Sequence, residues 1–268
     1  MKRGRRNVPL IGLYANAIRV VTVESVNAYF GSSDGYNAIL LDDPPAIRVT
    51  PSQSIYPHLQ HCHIIWAMER IVEIAYHDRD FHEASGSLFV KRGSKWVEVG
   101  QLSMKQEEPT ASSAPSGIFD LNQRNSTLQL AGREVATLAP SKRNVASNSQ
   151  MLVEAGYVAG GKPLKPLDVF LTVVRAIALL AEPDTNAKVN HWEYVDVDTR
   201  IRIYMTSPSG KSTKTNYGDV VECLSFATEF MLKKKRFAEI VATMFEMKPL
   251  RVDHGWVEIM KDDSEASI

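Results

Sequence analysis

Residues 166–181 read PLDVFLTVVRAIALLA, and this stretch has the clearest helical pattern in the chain. Its apolar side chains recur at helical spacing, at Phe170, Leu171, Val174, Ile177, Ala178 and Ala181. Pro166 suits the first turn of a helix, because that position needs no backbone donor. The pattern therefore predicts an amphipathic helix with one face against a core.

The same pattern occurs earlier in the chain, where residues 9–24 read PLIGLYANAIRVVTVE. Its β-branched run at residues 18–23 would suit a strand, but the counterpart at 166–181 favours a helix. Residues 9–90 align without a gap on residues 165–246. The identical pairs include Arg19 with Arg175, Ile47 with Ile203, Thr50 with Thr206, Glu73 with Glu229, Phe81 with Phe237, Glu83 with Glu239 and Phe89 with Phe245. The repeat predicts a tandem duplication.

Each half is predicted to run helix, two strands, helix, two strands. Second helices are expected at 57–76 and at 217–232, the latter capped by Asn216 or Thr215. Middle strands are expected at 38–41 and 46–50. They are expected again across 195–205, with a bend near Asp198–Thr199 and one apolar face formed by Val195, Val197, Thr199, Ile201, Ile203 and Met205. Closing hairpins are expected at 81–104 and 236–260, with the second turn, 249–255, a few residues longer than the first.

These elements predict an α+β fold of antiparallel sheets, each of about four strands with two helices on one face. The order is compatible with a permuted ferredoxin-like arrangement, and the halves are expected to pair as a pseudo-dimer. The domains are predicted as a first α+β repeat at 1–105, a flexible polar linker at 106–164 and a second repeat at 165–268. A small hairpin around Gly132 is expected inside the linker.

Composition restricts the function. The chain has 268 residues and a formal net charge of zero, which argues against a general polyanion binder. The basic start, residues 1–6, and the acidic end, 262–265, are interpreted as solvated chain ends. Cys62 and Cys223 are expected to be reduced and buried. No stretch suits a membrane span or a signal peptide, so we expect an intracellular protein without a membrane partner.

The closing hairpins share a motif, Phe81-His82-Glu83-Ala84 followed by residues 96–100, and Phe237-Ala238-Glu239-Ile240 followed by residues 256–259. A helix followed by Phe-x-Glu and a tryptophan-containing return strand resembles a group of uncharacterised proteins frequent in filamentous fungi. The resemblance covers both halves without the linker. It implies the fold and transfers no activity or site.

The densest cluster of metal-ligand side chains is His58, His61, Cys62 and His63. On a helix, His58 and Cys62 share a face, and a third ligand from His77 or His82 would complete a zinc site. The spacing matches no standard zinc pattern, and residues 216–219 in the second half contain no histidine. We therefore predict no metal, no cofactor and polar histidines around a buried cysteine.

Other motifs have weaker chemical meaning. Gly210-Lys211-Ser212 resembles a phosphate loop but lacks its first glycine. The carboxylate pairs Asp196/Asp198 and Asp42/Asp43 favour salt bridges on a solvated sheet face over acid–base catalysis. His191 and His254 are expected at the surface, and residues 233–236 (KKKR) as a solvated helix end. No catalytic residue can be named.

The sequence favours a non-enzymatic protein-interaction or structural protein, with self or another protein as its partner. One alternative is a small-ligand binder or metal-assisted enzyme using the cleft between the halves. A second alternative is a nucleic-acid binder using the basic start and residues 233–236.

Overall fold

The computed structural model describes residues 2–38, 45–52, 57–78, 81–106, 134–137, 151–208, 215–248 and 250–264. The chain forms two compact units, Met1–Phe119 and Asp120–Ile268. The first unit contains β1 (Lys2–Asn7), α1 (Leu10–Ser25), β2 (Tyr36–Ala38), β3 (Ala46–Pro51), α2 (His61–His77), β4 (His82–Arg92) and β5 (Lys95–Lys105). The second contains β6 (Glu134–Thr137), β7 (Leu152–Tyr157), α3 (Pro166–Ala181), β8 (His191–Asp196), β9 (Ile201–Thr206), α4 (Tyr217–Lys233), β10 (Ile240–Lys248) and β11 (Leu250–Lys261).

Each unit has one antiparallel sheet. The strand order is β1-β4-β5-β3-β2 in the first unit and β6-β7-β10-β11-β9-β8 in the second. Without β6, the second order repeats the first strand for strand, with the same helices between the same strands. The predicted α+β class with antiparallel sheets is confirmed. Duplication, the ferredoxin-like relation and the pseudo-dimer stay predictions.

Two strands were not predicted, and both precede the first helix of a unit. The basic start forms β1, whose sequence KRGRRN contains no apolar side chain, and backbone pairing with β4 positions it. Strand β7 lies inside the range predicted as linker and pairs with β10, because Val153 and Ala155 are buried in the sheet. The linker prediction is therefore corrected for its last residues. Within the predicted hairpin around Gly132, residues 134–137 form β6, and residues 128–130 lie outside the described residues.

The core of each unit lies between its two helices and one face of its sheet. In the first unit, Leu13, Tyr14 and Val20 are fully buried on α1, and the Tyr14 hydroxyl donates to the Val72 carbonyl of α2 at 3.2 Å. In the second, α3 buries Phe170 and Ile177. Each such side chain contributes roughly 1.5–3 kcal/mol to stability when buried. The cores explain why the helical stripes are the strongest sequence signal.

Both second helices begin with a capping box. In α4, the Asn216 side chain accepts from the Asp219 N–H at 2.8 Å, and the Asp219 carboxylate accepts from the Asn216 N–H at 2.9 Å. In α2, Gln60 and His63 occupy the same positions. The prediction of Asn216 as a cap is confirmed, while α2 begins later than the predicted residue 57.

The strands of the two closing hairpins can be aligned with each other by their pairing. Each contains one irregularity, between Leu88 and Phe89 in β4 and between Met244 and Phe245 in β10. Opposite the irregularities, Leu88 pairs with Gly100 and Met244 pairs with Gly255. These pairs align Gly100 with Gly255, so the predicted match of residues 96–99 to 256–259 is wrong. The second turn is also shorter than the first, because Lys248 pairs with Leu250 and residues 250–255 belong to a strand.

The two glycines allow the same close approach between strands. A Cβ on Gly100 would lie 2.9 Å from the Thr50 carbonyl oxygen, and one on Gly255 would lie 3.1 Å from that of Thr206. Thr50 and Thr206 are themselves a repeated pair. A glycine at this position therefore lets β5 and β11 pass the neighbouring strand beside the bulge.

The repeated Phe-x-Glu motif has a structural role in each unit. The Phe81 carbonyl accepts from the Val8 N–H at 2.8 Å, and the Phe237 carbonyl accepts from the Leu164 N–H at 3.0 Å. The glutamate then binds the end of the return strand. Glu83 accepts from the Gln106 N–H at 2.9 Å, and Glu239 accepts from the N–H groups of Lys162 and Lys261 at 3.0 and 3.1 Å.

The predicted alternation across residues 195–205 is wrong at its centre. A turn occupies residues 197–200, and Arg200 has a φ of 56°. The turn reverses the chain, so Asp196 is buried while Val195 and Val197 are exposed. Beyond it, Ile201, Ile203 and Met205 face the core as predicted.

Candidate functional site

The first unit carries an open groove between helix α2 and the β4–β5 hairpin, with a volume of about 360 Å³. We call it the aromatic groove. Its lining residues are His63, Trp66, Ala67, Leu88, Phe89, Val90, Lys91, Trp96 and Val99. Three large aromatic side chains remain exposed there: Trp66 by 47%, Phe89 by 53% and Trp96 by 66%. Exposed aromatic rings gathered in one concave surface are typical of a binding site.

Trp66 is held in place although its ring is half exposed. Its indole N–H donates to the Tyr29 hydroxyl at 2.7 Å, and the two rings lie edge to face with centroids 6.1 Å apart. Tyr29 is buried and also packs edge to face against Phe30. The indole therefore presents its apolar surface in one orientation, which would lower the entropy lost if a ligand bound there.

His63 joins the groove to the start of helix α2. Its Nδ1 accepts from the Gln60 N–H at 3.1 Å, so a neutral ring carries its proton on Nε2. Burial lowers the pKa of His63, which favours this neutral form. The Trp66 and His63 ring centroids are 5.8 Å apart. The groove thus includes one neutral imidazole whose Nε2–H is a donor.

The turn of the hairpin adds positive charge next to the aromatic rings. Lys91, Arg92 and Lys95 are all exposed, and Lys91 lines the groove itself. The nearby Glu98 accepts from the Gln101 side chain at 3.1 Å. The turn therefore attracts acidic groups toward an apolar surface.

The same place in the second unit is closed. The pairing of the hairpins makes Phe245 the equivalent of Phe89, and Arg251 the equivalent of Trp96. The guanidinium of Arg251 lies 4.1 Å from the Phe245 ring centroid, and Phe245 is 4% exposed. Arg251 also binds Glu154 at 2.5 Å and Asp253 at 2.7 Å. The open aromatic surface is thus specific to the first unit.

The predicted histidine cluster does not come together as a metal site. The His61 Nδ1 lies 2.6 Å from a Glu24 carboxylate oxygen, while the His63 Nδ1 caps the helix. Cys62 is buried, and burial raises the pKa of its thiol to about 11. His77 ends α2, about 24 Å along the helix axis from His61. Within the described ranges, no three His, Cys, Asp or Glu residues are placed to hold a metal ion.

The Glu24–His61 pair is an ionisable pair that sequence reasoning missed. Glu24 is buried at the end of α1, and His61 is the first residue of α2. Tyr36 lies nearby, and burial together with the Glu24 charge raises the pKa of its hydroxyl to about 12. In the sequence, Glu24 is only the last polar residue of a helix, and nothing in the pattern joins it to His61.

Asp196 and Asp198 form an ion-pair cluster, but their surroundings differ from the prediction. Both carboxylates bind the Arg175 guanidinium of α3, at 3.0 and 2.8 Å. The Asp196 side chain is fully buried, and it also accepts from the N–H of Asp198 at 3.0 Å. The pair therefore fixes the β8–β9 turn to α3, with Asp196 buried and Asp198 exposed by 54%.

The remaining predicted features divide into three groups. Gly210-Lys211-Ser212 and Asp42/Asp43 lie outside the described residues. Residues 233–236 are exposed at the end of α4, with the Arg236 guanidinium 4.4 Å from the Tyr157 ring centroid. His191 is exposed as predicted, whereas His254 is buried 3.4 Å from Glu246, so its predicted surface position is wrong. Cys62 and Cys223 are buried and free, as predicted.

Comparison with known proteins adds no relative. No family model matches the chain, and no curated protein or solved structure is similar to it. No helix in the described part of the chain has the length and apolar character needed to cross a membrane. The site must therefore be interpreted from its own geometry.

Proposed function

We propose that the protein is a protein-interaction protein, and that its aromatic groove binds an acidic segment of a partner that carries one aromatic side chain. The observation that supports this most is the difference between the two units. Phe245 is covered by Arg251, whereas the equivalent Phe89 is left open beside Trp96 and Trp66. A closed version of the same surface is compatible with this topology. The exposed aromatic rings of the first unit therefore cost free energy of hydration that binding of a partner would offset.

The chemistry of the groove fits such a segment. Trp66 and Trp96 offer flat apolar surface to one aromatic side chain, and tryptophan is among the residues that dominate binding energy at interfaces. Lys91, Arg92 and Lys95 favour carboxylates on either side of that anchor. The Nε2–H of neutral His63 suits an acceptor on the bound segment, such as a backbone carbonyl.

A labelled synthetic peptide with one phenylalanine flanked by aspartates tests the proposal by fluorescence anisotropy. Trp66→Ala and Trp96→Ala should each weaken binding by about tenfold or more, which corresponds to about 1.4 kcal/mol. Lys91→Glu/Lys95→Glu should weaken binding and reduce its salt dependence. Circular dichroism should show that each variant remains folded.

Two controls make the result specific. Trp192→Ala removes a tryptophan from β8 of the second unit and should leave binding unchanged. A peptide with alanine in place of phenylalanine should bind at least tenfold more weakly, because the groove loses its apolar anchor. Equal binding by wild type and the Trp66 and Trp96 variants, or tighter binding of an oligonucleotide than of the peptide, would contradict the proposal.

A further inference from the structure

The two sheets differ by one strand at corresponding edges. Strands β1 and β7 both precede the first helix of their unit, and both pair antiparallel with the first strand of the closing hairpin. In the second unit, β6 is added on the other side of β7, with Glu134 opposite Ala155 and Thr137 opposite Leu152. In the first unit, β1 is the last strand on that side of the described sheet.

The outer side of β1 presents backbone N–H and C=O groups as an edge. An edge of this kind accepts another strand through main-chain hydrogen bonds. The same topological position in the second unit is filled by a strand from a neighbouring stretch of chain. The sheet of this unit type therefore accommodates a strand there.

The composition of β1 indicates which strand would fit. Its sequence is KRGRRN, and the described side chains of Arg5, Arg6 and Asn7 are exposed. Two copies of such a strand repel each other, since like charges on directly opposed residues destabilise a sheet. A second copy of β1 is thereby disfavoured, whereas acidic side chains on a paired strand would form cross-strand charge pairs.

We propose that β1 accepts an extended acidic segment of a partner protein as a sixth strand, antiparallel to β1, in the place that β6 occupies on β7. Backbone hydrogen bonds hold the segment, and its carboxylates face the basic side chains of β1. The site is separate from the aromatic groove, because it uses the sheet edge and needs no aromatic anchor. The proposal does not depend on the groove.

The test uses a synthetic peptide of alternating glutamate and valine, which contains no aromatic residue, and amide hydrogen exchange measured by NMR. On binding, the amides of residues 2–7 should gain protection of about tenfold or more, while those of β2 at the opposite edge should not. The same peptide N-methylated at every amide cannot donate hydrogen bonds, so it should give no protection.

Charge variants locate the site. Arg5→Glu/Arg6→Glu should weaken binding by about tenfold or more, and the matched variant Lys91→Glu/Lys95→Glu should not. Equal binding of the N-methylated peptide, or absence of protection in residues 2–7, would overturn the proposal. Because the Lys91/Lys95 variant and the indole N–H resonances of Trp66 and Trp96 report on the groove alone, the two proposals fail separately.

Discussion

The Arg251 guanidinium covers the ring of Phe245 at 4.1 Å, and this contact closes a surface that the first unit leaves open. The equivalent position holds Trp96, which is itself exposed and lines the groove beside Phe89. The β10–β11 hairpin thus has its phenylalanine covered by a charged side chain, whereas the β4–β5 hairpin has an exposed aromatic surface at the corresponding place. Under the proposed function, the hairpin of the second unit stabilises its own unit, whereas the hairpin of the first unit binds a partner.

Removal of that cover should destabilise the second unit. Arg251→Ala exposes Phe245 and removes the ion pair that Arg251 makes with the buried Glu154 carboxylate at 2.5 Å. We expect a loss of about 1–3 kcal/mol in the free energy of unfolding. Urea unfolding measures it. The matched variant Arg236→Ala removes an exposed guanidinium stacked on Tyr157 and should cost less than about 1 kcal/mol; a larger loss in this variant would contradict the account.

The glutamates of the Phe-x-Glu motif should differ in importance. Glu239 is buried and accepts two backbone N–H groups, whereas Glu83 is half-buried and accepts one from Gln106. Glu239→Ala should lower the free energy of unfolding by about 2–4 kcal/mol and Glu83→Ala by about 1 kcal/mol, because each variant removes the acceptor of those N–H groups. Thermal or urea unfolding gives the ranking. The reverse order would refute the role of Glu239 in joining the backbone at Lys162 to the backbone at Lys261.

The bulge glycines should resist substitution. Gly100→Ala and Gly255→Ala place a Cβ at 2.9 and 3.1 Å from the carbonyl oxygens of Thr50 and Thr206, so adjacent strands must shift. We expect losses of about 1–3 kcal/mol, with Gly100 the more sensitive. Equilibrium unfolding of both variants is the measurement. A stabilising effect of Gly100→Ala would be inconsistent with the close approach.

The cap of α4 should make stability depend on pH. Burial raises the pKa of Asp219 to about 6 from its usual 3.8, against the opposing effects of the Asn216 N–H and the Lys188 charge. The folded state thus binds this proton more tightly, so the contribution is full below about pH 4 and is lost as the pH rises through 6. Asp219→Asn keeps an oxygen acceptor and should remove this decline, on the order of 3 kcal/mol. Urea unfolding between pH 4 and 7 measures the free energy of unfolding of both proteins. If that free energy changes equally with pH in the wild type and in Asp219→Asn, the predicted contribution of Asp219 is excluded.

Tyr29 should control the orientation of Trp66. Tyr29→Phe removes the acceptor of the Trp66 indole N–H at 2.7 Å while keeping the ring packing. Stability should fall by about 0.5–1.5 kcal/mol, and the indole N–H resonance of Trp66 should shift upfield in NMR. The Trp192 resonance, from the other unit, serves as the control. An unchanged Trp66 resonance would show that the hydrogen bond does not orient the ring in solution.

The sequence predicted the helices and most strands because their signals are periodic. The bounds of α3 match the prediction, since Pro166 and the apolar stripe define it without help from tertiary contacts. Strand β1 was missed because its side chains alternate in neither polarity nor size, and only pairing with β4 positions it. The match of Trp96 to Trp256 failed because it relied on residue identity alone. The sheet register instead makes Gly100 the equivalent of Gly255, since Gly100 pairs with Leu88 and Gly255 pairs with Met244.

The aromatic groove was not predictable in the same way. Trp66 reads as one polar-face residue of an amphipathic helix, and Phe89 and Trp96 read as ordinary hairpin residues. Their gathering depends on how α2 crosses the hairpin, a tertiary feature that no local pattern contains. The repeat offered one usable signal, since Trp66 stands where the second helix has Glu222, an aromatic residue in place of a charge.

The most direct measurement of the central claim is the NMR titration of the four tryptophan indole N–H resonances with the phenylalanine–aspartate peptide. We expect the resonances of Trp66 and Trp96 to shift in a saturable way with a common dissociation constant, while those of Trp192 and Trp256 stay fixed. Shifts confined to Trp192 and Trp256, or no saturable shift of Trp66 and Trp96, would contradict the claim that the aromatic groove is a docking site.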